Sequence, residues 1–253
     1  VILSATLSAD QIGAWGWRLP FAFGLLIGPV GLYIRRNIAE TPEFEAATET
    51  EATSSPMRDL FVQQWLNILL ATGLVATSTA LNYMISYTPT YAVNQLGLPS
   101  WIGFVASFVG AVMLMTVAPL VGHWSDSIGR TPIMRAVVIA VFVLMFPAFA
   151  LLISYPALLV IVPVLALIGA LKASYSAALP ALMAEIFPTR TRSTGMNISY
   201  NVGVTLFGGF APFWIESLIA ITHTALAPSF FLMFAASVSL VCIVLVRRRF
   251  GLR

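Results

Sequence analysis

The chain has 253 residues, of which 59% are hydrophobic and only 9% are charged. A soluble domain carries about 25% charged residues, so this chain could not cover a water-exposed surface, and lipid is its expected solvent. The net charge of +3 is not gathered into a basic run with interleaved aromatic residues, which argues against a nucleic-acid partner. The single cysteine, Cys242, can form neither an internal disulfide nor a metal cage.

Apolar stretches predict the helices that cross the membrane, each of which needs about 20 residues. We expect one helix tail followed by seven full crossings. The predicted segments cover residues 1–8, 15–34, 65–92, 101–122, 133–153, 157–184, 195–220 and 226–246. A bend is expected in the segment 195–220, at Gly208, Gly209 and Pro212. Because the chain opens on Val1 with only a helix tail, we expect it to be part of a longer protein.

The distribution of Lys and Arg predicts how the chain is oriented. If residues 122–132 are cytoplasmic, 11 of the 13 Lys and Arg residues lie on that side, Arg18 lies on the other, and Lys172 lies inside a span. This asymmetry follows the positive-inside rule and predicts a cytoplasmic C-terminus.

The longest connector, 37–64, is acidic and rich in Thr and Ser, which is typical of a solvated linker between bundles, although a plain spacer would look the same.

The charged segment "GHWSDSIGRTP", residues 122–132, resembles the loop signature of the major facilitator superfamily, G-x-x-x-D-[RK]-x-G-[RK]-[RK]. The residues that match are Gly122, Asp126, Gly129 and Arg130. Ser127 and Thr131 stand where the family often has further cations. The segment is therefore similar to a weakened copy of the signature.

Two further stretches narrow the resemblance to the metabolite:proton symporters of that superfamily. Residues 13–44, which begin "GAWGWRLPF", resemble the sixth helix and its following loop, and residues 180–213, which begin "PALMAEIFPTRTR", resemble the junction of the tenth and eleventh helices. The resemblance implies an all-α integral membrane protein, the C-terminal part of a twelve-helix fold from the end of helix 5 through helix 12. It implies the end of helix 5 and helix 6 at 1–36, an inter-bundle linker at 37–64 and a six-helix bundle at 65–253.

The resemblance also implies a gate at the cytoplasmic face. In the outward-facing state, Asp126 would pair with a cation on a neighbouring helix, such as Arg190 or Arg192. Glu185, in the same region, would join one charge network with this segment. The alternative is a solvated positive-inside loop, in which an exposed ion pair contributes ~0–1 kcal/mol.

Lys172 is the sharpest candidate for contact with a substrate. It lies 15 residues into the predicted helix 157–184, and an ionisable group at membrane depth is by default a functional-site hypothesis. Facing a cavity, it would attract a carboxylate, with Tyr175 on the same helix face; the alternative is an ammonium group that snorkels to the interface. Other polar side chains could bind the same solute or could hold helices together. They are Asn82, Tyr83, Tyr87, Asn197, Tyr200 and Asn201.

The implied function is secondary active transport by alternating access, with the solute at the midplane between two bundles. Family members move carboxylates such as citrate, or zwitterions such as proline and betaine, together with a proton. Lys172 favours a small organic acid such as citrate or a dicarboxylate; a proline- or betaine-type zwitterion stays open, and a channel or a non-transporting scaffold is the alternative from another class. We expect a monomer in a bacterial-type inner membrane, with lipid, protons and the solute as partners.

Several absences argue against an enzyme or a metalloprotein. The sequence has no Walker-type phosphate loop, no H-E-x-x-H and no G-x-S-x-G. His123 and His223 lie on predicted opposite sides of the membrane, so no metal and no cofactor are expected. No Asp or Glu lies near the middle of a predicted span, so we expect the proton-titrating group outside this chain and expect Glu216 to be dispensable for proton coupling.

Overall fold

The computed structural model describes residues 9–37 and 56–251, which form helices and turns without any strand in those ranges. The chain divides into two compact units, Val1–Ala52 and Thr53–Arg253, and the boundary falls inside the predicted linker 37–64. The predicted helix tail 1–8 and the linker residues 38–55 lie outside the described residues.

The first unit is a series of short helical pieces. They are α1 (Ala9–Ala14), a 3-10 turn (Gly16–Arg18), α2 (Leu19–Gly24) and α3 (Ile27–Asn37). The prediction of one continuous helix over 15–34 is therefore wrong. Between α2 and α3, the Leu25 amide donates to the Ala22 carbonyl and the Gly28 amide donates to the Leu25 carbonyl, both at 3.2 Å. Pro29 has no N–H to donate to that Leu25 carbonyl, so the regular α-helical ladder cannot continue there.

The second unit contains the long apolar helices. Its elements are α4 (Pro56–Gln63), α5 (Trp65–Asn94), α6 (Ser100–Ile128), α7 (Arg130–Ser154), α8 (Leu158–Ile186), α9 (Arg192–Val204), a π-helical turn (Thr205–Gly209), α10 (Ala211–Thr222) and α11 (Ala227–Phe250). Among the described residues, six helical segments are long and apolar enough to cross a membrane, with α9 and α10 forming one of them through the π turn. The helices predicted between residues 65 and 246 are thereby confirmed. Residues 56–63, the last part of the predicted linker, are helical and pack on α5.

Helix α5 is the centre of the second unit and packs against α6, α8, α9 and α11. Polar contacts reinforce this packing: Ser239 of α11 donates to the carbonyl of Gly73 at 2.8 Å and accepts from the amide of Thr77 at 3.1 Å. Thr72 donates to the carbonyl of Ser199 on α9 at 3.3 Å. In lipid, apolar burial does not favour one helix contact over another, so close packing and such hydrogen bonds specify the partners.

Glycine permits a close contact between the backbones of α6 and α8. A Cβ atom on Gly169 would lie 2.4 Å from the carbonyl oxygen of Gly110, which faces it on α6. Small residues of this kind let two backbones approach closely. The α6–α8 spacing therefore depends on the absence of a side chain at residue 169.

The predicted bend near Gly208 and Gly209 coincides with the π-helical turn. The amide of Phe210 donates to the carbonyl of Thr205 at 3.0 Å, five residues back, so one residue is inserted into the regular ladder. Pro212 follows in the first turn of α10. The π turn lies where the bend was predicted, the bend itself stays a prediction, and turns of this type are frequent at functional sites.

We predict that Gly169→Ala lowers the stability of the folded chain by about 1–3 kcal/mol, because the new methyl group forces α6 and α8 apart. The measurement is thermal unfolding of the purified protein in one detergent. Gly122→Ala on α6 is the matched control, since its Cβ would meet nothing within 4 Å. The control should unfold at or slightly above the wild-type temperature, because Ala favours the helix over Gly by up to about 1 kcal/mol. Equal effects of the two substitutions would contradict the close-approach argument.

Candidate functional site

Lys172 lies at the midpoint of α8, with 14 of the helix's 29 residues before it and 14 after it. Its ammonium group donates to the hydroxyl oxygen of Ser78 on α5 at 2.7 Å and to that of Ser176 on its own helix at 2.9 Å. The two serine oxygens are 3.1 Å apart, so the three polar groups form a closed triangle. The ammonium group is thus held against α5 at mid-helix and is not extended toward a helix end.

The charge of this triangle is not neutralised within the described part of the chain. No carboxylate oxygen among the described residues lies within 4.0 Å of the Lys172 nitrogen, and both of its partners are neutral hydroxyls. An ammonium group has three donors, and two of them are used here. The ammonium group therefore retains one unused N–H donor at half the length of a membrane-spanning helix.

The Lys172 triangle continues into a polar stripe on α5. Ser78, Asn82 and Ser86 follow one another at intervals of four residues and so lie on one side of the helix. Asn82 and Ser86 are exposed, and the Ser86 hydroxyl donates to the Asn82 carbonyl at 3.4 Å. The amide of Asn82 is consequently open to a ligand one helical turn from Ser78. Sequence reasoning did not select Ser78, although its position four residues before Asn82 was a usable signal.

Two predicted tyrosines form a second group farther along α5. Tyr83 and Tyr87 stack with their ring centroids 5.6 Å apart and an angle of 18° between the rings. The Tyr87 hydroxyl donates to the carboxylate of Glu216 on α10, and the Glu216 side chain is exposed. Tyr87 lies nine residues after Ser78, about 13.5 Å along the helix. The structure thus places Tyr87 well along the helix from the Lys172 triangle and joins it to a carboxylate.

Tyr175 does not line an open site. Its side chain is 0% exposed, and its hydroxyl donates to the Leu74 carbonyl of α5 at 2.8 Å. A step of three residues turns a helix by about 300°, so Tyr175 lies about 60° from Lys172 around α8, and both side chains reach α5. In this structure the residue anchors α8 to α5, and its contact with a substrate stays a prediction.

The three predicted polar residues of α9, Asn197, Tyr200 and Asn201, are exposed. The Asn201 side chain donates to the Asn197 carbonyl at 2.8 Å. Asn197 and Tyr200 line a cavity of about 310 Å³ together with α8 residues that include Pro180 and Met183. No hydrogen bond described in the structure joins this group to the Lys172 triangle, so its part in substrate binding stays a prediction.

The signature segment 122–132 is mostly helix, because α6 continues to Ile128 and α7 starts at Arg130. Gly129 alone connects the two helices, with φ 100° and ψ 155°. Only glycine adopts this backbone region readily. The glycine of the signature is therefore required by a one-residue connection between antiparallel helices, and Gly122 and Asp126 lie within the last two turns of α6.

An ion pair at this end of the bundle joins Arg130, the first residue of α7, to Glu185 near the end of α8. Asp126 is exposed, and no cationic nitrogen among the described residues lies within 4.0 Å of it. The pair expected between Asp126 and Arg190 or Arg192 is therefore not formed here. Glu185 does contact the signature segment, through Arg130. The sequence did not identify Arg130 as the partner of Glu185, because which side chains meet depends on how the packed helices are rotated about their axes.

We predict a small coupling energy between Arg130 and Glu185, of about 0–1 kcal/mol, because their side chains are 29% and 36% exposed and water screens the pair. A double-mutant cycle with Arg130→Gln and Glu185→Gln, read by thermal unfolding, measures it. The same cycle with Asp126→Asn in place of Glu185→Gln is the control and should show no coupling. Coupling above 2 kcal/mol would contradict the solvent-screened character of this pair.

Comparison with known proteins finds one matching family model and several related transporters. The Major Facilitator Superfamily model matches residues 1–212. The ectoine/proline transporter ProP of Corynebacterium glutamicum is 33% identical over 243 residues, which cover 91% of this chain and 48% of the relative. The citrate-proton symporter of Klebsiella pneumoniae is 30% identical, covering 98% of this chain and 56% of the relative. The proline/betaine transporter of Escherichia coli is 26% identical, with coverages of 95% and 50%.

These relatives are about twice as long as the aligned part, so the chain spans about half the length of the curated relatives it matches. No solved structure gives a significant match. The family model covers most of the chain, and the described residues have the expected all-helical, multi-span character. The chain belongs to the Major Facilitator Superfamily, as the signature segment and the two longer stretches predicted.

Proposed function

We propose that this chain is the C-terminal part of a proton-coupled symporter that carries a small organic acid, such as citrate or a dicarboxylate, by alternating access. The observation that carries the proposal is Lys172, a cation at mid-helix held by two neutral serines. Relatives named as citrate-proton symporters support the same substrate class. Residues 1–36 would close the first bundle, 37–64 would link the bundles, and 65–253 would form the second.

The Lys172 triangle suits a carboxylate for an electrostatic reason. An ammonium group without a carboxylate partner attracts an anion strongly where water is scarce, because a low local dielectric strengthens the interaction. The serine hydroxyls keep the ammonium group oriented, and the exposed Asn82 amide offers a further donor or acceptor one turn away. A solute with a second carboxylate or hydroxyl would satisfy both.

A zwitterion such as proline or betaine is the second candidate, favoured by Tyr83, Tyr87 and Glu216. Stacked aromatic rings beside a carboxylate attract a substituted ammonium group, and Glu216 is exposed next to the ring pair. Relatives named as proline/betaine transporters support this reading. Lys172 and Glu216 would then either bind the two opposite charges of one solute or belong to two positions that the solute occupies in succession.

The proposal includes an orientation and a gate. The Arg-rich end of the bundle, with Arg130, Glu185 and the α11 terminus, would face the cytoplasm, as the positive-inside rule predicts. Breaking the Arg130–Glu185 pair would release α7 from α8 at that face. The protein would act as a monomer in a bacterial-type plasma membrane, without a metal or an organic cofactor.

Counterflow separates the candidates. Vesicles containing the full-length protein are preloaded with unlabelled citrate or betaine, and labelled solute is added outside. An organic-acid carrier accumulates labelled citrate transiently above its equilibrium level only when citrate is inside. A channel gives no such overshoot with any solute, and an overshoot restricted to betaine would replace the organic-acid assignment by the zwitterion one.

We predict that Lys172→Ala weakens the apparent affinity for citrate by about 10- to 100-fold, since a hydrogen bond to a charged group contributes about 1.5–3 kcal/mol. The measurement is the concentration dependence of counterflow. Ser176→Ala is the matched control, because it removes one neutral partner and leaves the charge, and a loss of several-fold is expected. Unchanged citrate uptake by a folded Lys172→Ala protein would exclude the binding role of this lysine.

We predict that Glu216→Gln leaves proton coupling intact, because the titrating group is expected outside this chain. The substitution preserves a side-chain oxygen that can accept from the Tyr87 hydroxyl. Simultaneous recording of proton entry and labelled solute entry gives the coupling ratio. A ratio that falls to zero while counterflow persists would identify Glu216 as the coupling residue, whereas weaker betaine binding at an unchanged ratio would favour the zwitterion candidate.

A further inference from the structure

A cavity of about 390 Å³ lies between the first turns of α7 and the last turns of α11. It is lined by Thr131, Arg135, Ile243, Val244, Arg247 and Arg248. The three arginine side chains are exposed, and no carboxylate among the described residues lies within 4.0 Å of their guanidinium groups. The cavity is separate from the Lys172 triangle, which lies halfway along α8.

The placement of Arg135 is electrostatically unusual for a helix. It lies in the second turn of α7, near the end where unpaired backbone N–H groups already create positive potential and where cations are unfavourable. Arg130 shares this end but is paired with Glu185. The last turn of α11 is a favourable place for Arg247 and Arg248, yet these two residues add their charge to that of Arg135. An anion in the cavity would relieve this repulsion.

The surface that leads away from this cavity is apolar on both helices. On α7, the exposed residues Ile139, Phe142 and Phe146 follow Arg135 on one helix face. Residues 135 to 146 span about 16 Å, roughly half of a 30 Å hydrocarbon core. The arginines would therefore lie at the level of the headgroups when the apolar stripe lies among acyl chains.

The matching stripe on α11 runs from Arg248 through the exposed residues Leu245 and Val241. Phe146 and Phe230 are in ring contact at 6.1 Å, while Arg135 and Arg247 line one cavity, so α7 and α11 pack antiparallel and their stripes run side by side. The cationic cavity lies at one end of the two adjacent apolar stripes. This arrangement matches a phospholipid, which has an anionic headgroup at one end of its acyl chains.

We propose that the α7–α11 cavity binds the phosphate of an anionic phospholipid whose acyl chains lie along these stripes. Guanidinium groups bind phosphate oxygens with paired hydrogen bonds, and basic pockets between membrane helices bind anionic headgroups in this way. The inference rests on the chain spanning a membrane and is independent of the transported solute. The ligand class is a phosphodiester with net negative charge, such as phosphatidylglycerol.

The test is thermal unfolding of the purified full chain in a neutral detergent, titrated with phosphatidylglycerol or with phosphatidylcholine of the same acyl chains. Phosphatidylglycerol should raise the unfolding temperature more than phosphatidylcholine does. Arg135→Gln, Arg247→Gln and Arg248→Gln should each weaken the phosphatidylglycerol response by about fivefold in concentration, as expected for one basic residue near an anionic lipid. The triple variant should respond equally to both lipids.

Arg249→Gln is the matched control, because Arg249 lies over the ring of Phe250 at 5.6 Å and does not line the cavity. It should keep the wild-type response. Equal responses of wild-type protein to the two lipids, or a wild-type response from the triple variant, would overturn the proposal. If the triple variant does not fold, the three single variants provide the test, and a wild-type response to phosphatidylglycerol from all three would overturn the proposal.

A second arm distinguishes a lipid from a soluble anion. Inorganic phosphate, added at the same ionic strength as a chloride control, should give much less stabilisation than phosphatidylglycerol. Leu245→Ser, which alters the apolar stripe and keeps all three arginines, should weaken the response to phosphatidylglycerol. Stabilisation by inorganic phosphate equal to that by the lipid would replace the lipid assignment by a site for soluble phosphate.

Discussion

Lipid cannot hydrogen-bond the polar groups of a spanning helix, so the protein must satisfy them internally. Helix α5 shows how this constraint organises the bundle. Its backbone carbonyls accept from Tyr175 on α8 and Ser239 on α11, and its own Thr72 donates to a carbonyl of α9. Each hydrogen bond ties one neighbouring helix to α5. Among the described helices, α5 carries the most buried polar side chains, and α6, α8, α9 and α11 pack against it.

The same constraint makes the few unsatisfied polar features informative. The Lys172 ammonium group is hydrogen-bonded but not neutralised, and Asn82 and Ser86 are open beside it. The arginines of the α7–α11 cavity carry charge without a nearby carboxylate in the described part of the chain. One feature lies at mid-helix and the other at the end of two spans. We therefore propose a site for a small solute at the first and a site for a lipid headgroup at the second.

Glycine and proline decide where helices approach and where they stop. Gly169 sets the contact of α8 with α6, and Gly129 allows a one-residue connection between α6 and α7. Pro29 interrupts the ladder in the first unit, where a continuous helix had been predicted from apolar length. Apolar composition predicts that a stretch can lie in a membrane. It does not show where a missing backbone N–H interrupts the helix or where a side chain would clash with a neighbouring helix.

Much of the candidate site could be anticipated from single residues. The rarity of charge in apolar helices drew attention to Lys172 and to the segment 122–132, and both make specific contacts. Partner identities were harder to predict. Tyr175 was expected beside an open site and is buried, and Asp126 was expected to pair with an arginine, whereas Arg130 takes Glu185. Such pairings depend on helix rotation, and a change of one residue in helix phase turns a side chain by about 100°.

From the sequence one could predict the six spans between residues 65 and 246, the superfamily, and the importance of Lys172 and the segment 122–132. Apolar length, the rarity of charge and a short signature are properties of the chain alone. Tertiary structure alone decided which polar groups meet. Ser78 reaches Lys172 across 94 positions of sequence, and Arg135 shares a cavity with Arg247. These contacts are set by the rotation and close approach of packed helices, which local sequence patterns do not encode.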